Sequence, residues 1–204
     1  QHWRLKRDLD IVLVDSTDPF GNRRLFPRGV LREDIKNLGR TDIIMLTKTD
    51  MGKGNVKDLK DELKKDYPHI PVLEAMHSPL GLYDLINKEA VDLSVIKGKD
   101  ICALSSIVNT KYFEYTLESL GSNIILRFHY QDHYNYKEKD LESVINGCRK
   151  SNIDTIVTTE KDAAKLVPVV AGNDGPRILV LRVELKVTDD EGVLKERLRG
   201  LYSG

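Results

Sequence analysis

Residues 123–128 read Asn-Ile-Ile-Leu-Arg-Phe, and shortly afterwards residues 131–136 read Gln-Asp-His-Tyr-Asn-Tyr. The first stretch is an apolar run typical of a strand, and a helix-like segment follows the second at residues 137–150. This order predicts a strand that delivers Asp132 and His133 to a sheet edge, where the carboxyl ends of strands bind ligands in open α/β folds. Histidine suits proton transfer because its unperturbed pKa lies near neutrality. From these residues alone, a surface turn rich in aromatic side chains is the alternative interpretation.

Strands alternate with helices on both sides of this stretch. Continuous apolar or β-branched runs predict strands at residues 11–14, 42–46, 70–75, 101–104 and 154–159, with a long alternating strand at 177–187. Between them lie segments with an apolar face, including a helix at 55–67 that Asn55 would cap. Another such helix, capped by Asn109, is predicted to run through Leu120, with Gly121 as its C′ residue. This alternation predicts an α/β fold with largely parallel strands.

The domain organisation is predicted from a change of composition near the middle of the chain. Residues 78–83 are turn-like and the segment after them is weakly patterned. We therefore expect one α/β domain at 1–80, a linker at 81–98 and a second, smaller α/β/α domain at 99–204. Within the second domain, residues 177–187 are a candidate strand returning from the linker.

Composition excludes several classes of protein. The 32 Lys and Arg residues balance the 32 Asp and Glu residues, so no nucleic acid partner is expected. The two cysteines, Cys102 and Cys148, make no disulfide framework and fit a reducing compartment. No apolar run approaches the ~20 residues of a membrane span. Because the chain lacks an initiating Met and runs almost directly into a strand, we expect it to be a fragment.

Two segments after predicted strands carry candidate ligand-binding residues. The loop at 20–33 contains four arginines: Arg23, Arg24, Arg28 and Arg32. Guanidinium groups match phosphate geometry, so an anion site and a solvated basic loop are both open. Residues 47–50, Thr-Lys-Thr-Asp, are reminiscent of the base-reading loop of P-loop nucleotide hydrolases, although a polar strand end explains them equally well.

Four segments of the chain together resemble one family, the tetraacyldisaccharide 4′-kinases. Residues 1–11 (QHWRLKRDLDI) look like the segment that follows two adjacent aspartates in that family. Residues 20–33 (FGNRRLFPRGVLRE) resemble its GNGRLLPxGxLRE segment, 132–136 (DHYNY) its DHHxY segment, and 158–166 (TTEKDAAKL) its TTEKDAVKL segment. The order and spacing fit across nearly the whole chain. Two departures are Tyr134, where a second His is common, and residues 105–110 (SSIVNT), which replace an SGIANP-like stretch.

The resemblance implies a kinase that moves the γ-phosphoryl group of ATP to the 4′-hydroxyl of a tetraacyl glucosamine disaccharide 1-phosphate in lipid A biosynthesis. It also implies a P-loop-NTPase-like parallel sheet, incomplete in this chain, ahead of the second domain. ATP and Mg²⁺ are the implied cofactors. The implied partners are the lipid A disaccharide precursor and the cytoplasmic face of the bacterial inner membrane, bound peripherally or through a missing N-terminal segment. Because the 204 residues contain no GxxxxGK[ST] loop, we expect the phosphate-binding loop upstream and the fragment alone to be inactive.

The resemblance also implies roles for individual residues. His133 would take the proton of the sugar hydroxyl, paired with a carboxylate upstream of the chain. Arg32 would contact the transferring phosphate oxygens, and Glu33 would hold Mg²⁺ directly or through water. The implied substrate-binding residues are Gln1, Arg28 and Asp132, of which Asp132 orients its loop. The implied nucleotide-binding residues are Lys48 and Glu160, although Glu160 also fits an acidic helix N-terminus.

Two other classes of protein explain part of the pattern. A P-loop GTPase or ATPase relative accounts for residues 11–15 and 47–50 but leaves the Asp-His loop and residues 158–166 unexplained. Guanine specificity normally needs an amide at the position of Thr47, so nucleotide preference separates this class. A non-catalytic nucleotide-binding module fits the absent phosphate loop and the altered Ser106 and Tyr134. The presence of His133 and Arg32 favours the kinase.

Overall fold

The structure is a computed structural model that describes residues 6–170 and 175–202. Its strands are β1 (Ile11–Asp15), β2 (Ile43–Thr47), β3 (Val72–Asp84), β4 (Ala90–Val91), β5 (Asp100–Ser105), β6 (Asn123–His129), β7 (Thr155–Thr159) and β8 (Arg177–Asp189). Its α-helices are α1 (Lys53–Asp66), α2 (Thr110–Ser119), α3 (Glu138–Lys150), α4 (Glu160–Val170) and α5 (Glu191–Gly200). The alternation and the mainly parallel pairing confirm the predicted α/β class.

The chain divides into two compact units. The first unit comprises Gln1–His77 and Leu185–Gly204, and the second comprises Ser78–Glu184. Residues 81–98, which the sequence suggested as a linker, contain β4 and a 3-10 helix at Leu93–Ile96 within the second unit. The domain boundaries proposed from the sequence remain a prediction.

The first unit is built on three parallel strands. β2 pairs with β1 on one side and with β3 on the other. Ile43, Ile44 and Leu46 of β2 are completely buried because neighbours cover both faces of this strand. The apolar face of α1 packs on one side of the strands, and Val187 and Val193 pack on the other. Parallel strands buried on both faces have the continuous apolar sequence that predicted them.

The second unit has four parallel strands in the order β8-β7-β5-β6, and the short β4 pairs antiparallel with the end of β3. Alternate residues of β5 pack into two hydrophobic cores, one on each face of the sheet. Cys102 and Leu104 pack with α3 and α4, whereas Ile101 and Ala103 pack with α2. The chain leaves β5 toward β6 and then crosses to β7 on the other side. The carboxyl ends of β5 and β7 therefore form a topological switch point, where open α/β sheets bind ligands.

Several local predictions can be compared with the structure. Asn109 caps α2 by accepting a hydrogen bond from the Tyr112 amide, and Gly121 has a φ of +85°, as predicted. The prediction that Asn55 caps α1 is wrong, because the helix begins at Lys53 after Gly52. A short 3-10 helix, Ile35–Arg40, follows the arginine-rich loop.

The turn predicted at residues 78–83 is also wrong. β3 continues through that stretch to Asp84. β3 pairs with β2 through Val72–Glu74 and with β4 through residues 82–83. Proline has no N–H group to donate to such pairings. Pro79 lies between these two pairings and takes part in neither.

Candidate active site

Lys48 and Asp15 form an ion pair at the carboxyl ends of β2 and β1. The two strands are parallel and in register from Ile11 to Asp15, so their last residues meet at one edge of the sheet. The Thr17 amide and hydroxyl also donate to the Asp15 carboxylate, at 3.0 and 2.6 Å. Burial alone would raise the pKa of Asp15, but the hydrogen bonds from Lys48 and Thr17 outweigh it and hold the pKa below its ordinary value. Asp15 is thus an ionised carboxylate at the sheet edge.

The backbone around Lys48 is held in an uncommon conformation. Lys48 has a φ of +57°, in the left-handed region that non-glycine residues seldom adopt. Its carbonyl accepts a hydrogen bond from the Ser16 hydroxyl at 3.0 Å. Gly52 lies so close to Ser16 that a Cβ atom at this position would be 2.3 Å from the Ser16 Oγ. Residues 47–52 therefore form a closely packed loop against the end of β1.

Arg32 and Glu33 line a cavity of about 480 Å³ in the first unit. The cavity lies against β1 and also includes Asp15 and Asp18 in its wall. The Glu33 carboxylate accepts hydrogen bonds from Arg40 at 2.6 Å and from Asn37 at 3.2 Å. The structure thus places two predicted catalytic residues and the Lys48 partner Asp15 around one cavity.

The described residues do not assemble a dedicated metal site. No group of three or more His, Cys, Asp or Glu side chains with suitable geometry is found in residues 6–170 and 175–202. Glu33 is already engaged by Arg40. One carboxylate is compatible with Mg²⁺, which often binds through one or two carboxylates and phosphate oxygens, but it does not define a site. The metal role of Glu33 stays a prediction.

In the second unit, His133 lies on an exposed loop between β6 and α3. Its φ is +61° and its side chain is 75% exposed, so the imidazole is open to solvent. Asp132 Oδ2 lies 3.5 Å from His133 Nε2, and Asp132 Oδ1 accepts a hydrogen bond from Lys161 at 2.9 Å. The Lys161 ammonium holds the pKa of Asp132 below its ordinary value. An ionised Asp132 therefore stands beside the His133 ring and fastens the loop to α4.

Three tyrosines support this loop from beneath. The Tyr130 and Tyr134 rings stack at 4.7 Å, and Tyr136 meets Tyr130 edge-on at 5.2 Å. Tyr136 is buried in the core of the second unit. The Tyr134 hydroxyl donates to Asp140 at 2.9 Å, which ties the loop to the first turn of α3. The aromatic residues of this segment thus belong to the core as well as to the loop, and they fix the backbone from which His133 projects.

A buried polar network that the residue pattern did not predict lies at the switch point between β5 and β7. Asp162 is fully buried and accepts hydrogen bonds from the Ser106 amide at 2.9 Å, from the Ser106 hydroxyl, and from Thr159 at 2.8 Å. Lys165 donates to the Ser106 hydroxyl at 3.0 Å and lies 3.5 Å from Asp162. In the sequence, Asp162 is one residue of the 158–166 segment, and its neighbours do not mark it as buried. Its chief partner is 56 positions away, and residue patterns do not reveal such contacts.

The remaining predicted site residues lie as follows. Arg28 is exposed in the 20–33 loop, and Glu160 begins α4 with Arg182 3.4 Å away. Gln1 lies outside the described residues. The first unit therefore contains Arg28, Arg32, Glu33 and Lys48, and the second contains Asp132, His133 and Glu160.

The comparison with known proteins decides the family. A sequence model of the family described as Tetraacyldisaccharide-1-P 4′-kinase matches residues 1–202. The chain belongs to the tetraacyldisaccharide 4′-kinase family. Among its curated relatives, the Tetraacyldisaccharide 4′-kinase of Anaeromyxobacter dehalogenans (strain 2CP-C) is 34% identical over 198 residues, which are 97% of this chain and 52% of the relative. That of Halothermothrix orenii is 33% identical over 206 residues, covering 93% of this chain and 53% of the relative.

A solved structure shares the fold of this family member. The LpxK of Aquifex aeolicus, crystallised in complex with ATP, superposes with a TM-score of 0.63 at 24% identity and covers 98% of this chain and 54% of that chain. This similarity confirms the predicted fold class. The chain spans about half the length of the curated relatives it matches.

Proposed function

We propose that the protein containing this chain is a lipid-sugar kinase of lipid A biosynthesis. It transfers the γ-phosphoryl group of ATP to the 4′-hydroxyl of a tetraacyl glucosamine disaccharide 1-phosphate. The observation that supports this most is the family match through residues 1–202, which spans both compact units and every segment that carries a predicted site residue. In the reaction, an oxygen–phosphorus bond forms to the sugar, the bond between the β- and γ-phosphates breaks, and ADP leaves.

His133 is the proposed base for the sugar hydroxyl. Its ring is exposed to solvent on a loop fixed by Lys161 and by the tyrosine cluster, so an acceptor can approach it without rearrangement of the core. The ionised Asp132, bound by Lys161, orients the loop that carries His133, and its Oδ2 lies 3.5 Å from the imidazole Nε2. General-base groups contribute on the order of 10²–10⁴-fold to turnover.

Arg32 and Lys48 are the proposed phosphate and nucleotide contacts of the first unit. Phosphoryl transfer depends mainly on positioning and charge stabilisation, and Arg32 lines a cavity large enough for phosphate groups. Lys48 and Glu160 are proposed to contact the nucleotide, and Arg28 and Gln1 the acceptor. Since the 204 residues lack a GxxxxGK[ST] loop, we assign the cradle of the triphosphate to a part of the kinase that this sequence does not include.

ATP and Mg²⁺ are the proposed cofactors, and bound Mg²⁺ would neutralise charge on the transferring phosphates. No helix in residues 6–170 and 175–202 is long and apolar enough to cross a membrane. The proposed location is the cytoplasmic face of the inner membrane, where an acylated acceptor resides.

The residue roles can be tested by kinetics on the gene product expressed at its full encoded length. We expect His133→Ala and Arg32→Ala each to lower kcat by about 10²-fold or more, as general-base and charge-stabilising groups do. The matched controls are His69→Ala and Arg197→Ala. They remove exposed side chains of the same types, His69 from the turn between α1 and β3 and Arg197 from α5. Near-wild-type turnover of His133→Ala or Arg32→Ala would remove that residue from the mechanism.

A further inference from the structure

The loop at residues 23–30, here named the Arg-Phe loop, exposes large apolar side chains to solvent. Phe26 is 79% exposed, Val30 71% and Leu25 48%. Single exposed apolar residues are ordinary, but a contiguous group marks an interaction surface. These three lie within six positions on one loop of the first unit.

The Arg-Phe loop is rigidly formed, so its apolar side chains are held outward. Phe26 donates its amide to the Leu31 carbonyl at 2.8 Å, and Gly29 donates to the Leu25 carbonyl at 3.0 Å. The Asn22 side chain spans the loop base, donating to the Arg28 carbonyl at 2.8 Å and accepting from the Arg24 amide at 3.2 Å. A loop that is already ordered loses little conformational entropy on binding, which favours its use as a docking element.

Cationic side chains surround the apolar tip. Arg24 and Arg28 are exposed, and within the part of the chain that the structure describes neither guanidinium has a carboxylate partner. Arg23, by contrast, pairs with Glu62 at 2.8 Å and is anchored to α1. Two available guanidinium groups beside an aromatic and an aliphatic side chain complement the phosphate layer and the acyl boundary of an anionic bilayer.

We propose that the Arg-Phe loop docks this protein on a bilayer that contains anionic phospholipid. Phe26 and Leu25 enter the boundary between head groups and acyl chains, while Arg24 and Arg28 bind lipid phosphates. The inference deepens the proposed function, because it identifies the surface by which the kinase reaches an acylated acceptor. The test of membrane docking contains neither ATP nor acceptor. The docking proposal can therefore fail while the kinase proposal holds, and the kinase proposal can fail while the docking proposal holds.

The test is co-sedimentation of the purified protein with vesicles. One set contains phosphatidylethanolamine with phosphatidylglycerol as the minor component, and the other contains phosphatidylcholine alone. We expect Phe26→Ser to weaken binding to the anionic vesicles by about tenfold, which corresponds to the lower end of the transfer free energy of a Phe side chain. Arg24→Gln with Arg28→Gln should weaken it by roughly 25-fold, since each basic residue near an anionic surface contributes about fivefold.

Matched controls separate the loop from general surface chemistry. Ile86→Ser replaces an apolar side chain that is 68% exposed in the second unit, and Lys57→Gln removes an exposed charge from α1. Both should bind vesicles like wild type, and circular dichroism should show that all variants are folded. Binding to anionic vesicles should weaken with salt, whereas phosphatidylcholine vesicles should bind weakly throughout.

Two results would overturn the proposal. In the first, wild-type protein sediments no better with anionic vesicles than with phosphatidylcholine, or Phe26→Ser binds as tightly as wild type. In the second, sedimentation velocity without lipid shows self-association that Phe26→Ser abolishes, which would make a second copy of the chain the partner of the loop.

Discussion

Replacing Asp162 by Asn tests the buried network that holds α4 against the end of β5. The carboxylate is fully buried and accepts hydrogen bonds from the Ser106 amide, the Ser106 hydroxyl and the Thr159 hydroxyl, with Lys165 3.5 Å away. An amide of the same shape turns an NH₂ group toward one of these donors and leaves Lys165 without its counter-charge. Breaking a buried charge pair from one side costs about 3–5 kcal/mol, so we expect a loss of that size in the free energy of unfolding.

The assay is urea denaturation followed by far-ultraviolet circular dichroism at neutral pH. Lys165→Met should cost less, about 1.5–3 kcal/mol, because Asp162 retains its other donors and the Lys165 side chain is 19% exposed. The double variant should be less destabilised than the sum of the two, since the residues are in contact. Asp58→Asn, at an exposed site on α1, should stay within about 0.5 kcal/mol of wild type. If Asp162→Asn is equally close to wild type, the network does not hold α4 as described.

Two further predictions concern other contacts. Burial alone would raise the pKa of Asp84, but the hydrogen bonds from Arg177 and two amides outweigh it and lower the pKa, so the ionised carboxylate stabilises the fold above its unfolded pKa of about 3.9. Acid titration of unfolding should therefore show Asp84→Asn less stable than wild type near neutrality and the difference shrinking as the pH falls below about 4; a constant difference would contradict this. Gly52→Ala should lower the free energy of unfolding by about 1–3 kcal/mol, because the added Cβ would lie 2.3 Å from the Ser16 Oγ and 2.9 Å from the Ser16 carbonyl. Gly54→Ala is its control, since nothing lies within 4 Å of the added atom, and thermal melting that ranks Gly52→Ala at or above Gly54→Ala would refute the close approach.

The sequence was a good guide to those strands that are buried on both faces. β2 and β5 have continuous apolar runs because neighbours cover both of their surfaces, and this requirement is visible in the residues themselves. The Asn109 cap was equally predictable, because the capping contact lies three positions away.

The predictions that were wrong or missing share a different cause. They depend on contacts between residues that are far apart in the sequence. α1 begins at Lys53, directly after Gly52, and Gly52 packs closely against Ser16 of a distant part of the sequence. The network of Asp162 with Ser106 joins two elements separated by 56 positions. Local patterns therefore predicted the element types, whereas packing between elements decided the boundaries and the buried polar contacts.

Prediction of the candidate site from the sequence was limited in the same way. The sequence pointed to Asp132 and His133 because two polar titratable groups follow an apolar strand. It did not show that Lys161 binds Asp132, or that Tyr130 stacks beneath Tyr134, because those contacts depend on where α4 and the loop meet. The structure thus adds the physical reason why the His133 loop is held in one conformation.

The most direct test of the central claim is phosphoryl transfer by the full-length gene product. [γ-³²P]ATP, Mg²⁺ and tetraacyldisaccharide 1-phosphate would be incubated with wild type beside His133→Ala and His69→Ala, and the lipid extracted. The kinase account predicts label on the lipid at the 4′ position with wild type and His69→Ala, and about 10²-fold less with His133→Ala. A folded, ATP-binding wild type that leaves the lipid unlabelled and releases only inorganic phosphate would contradict it.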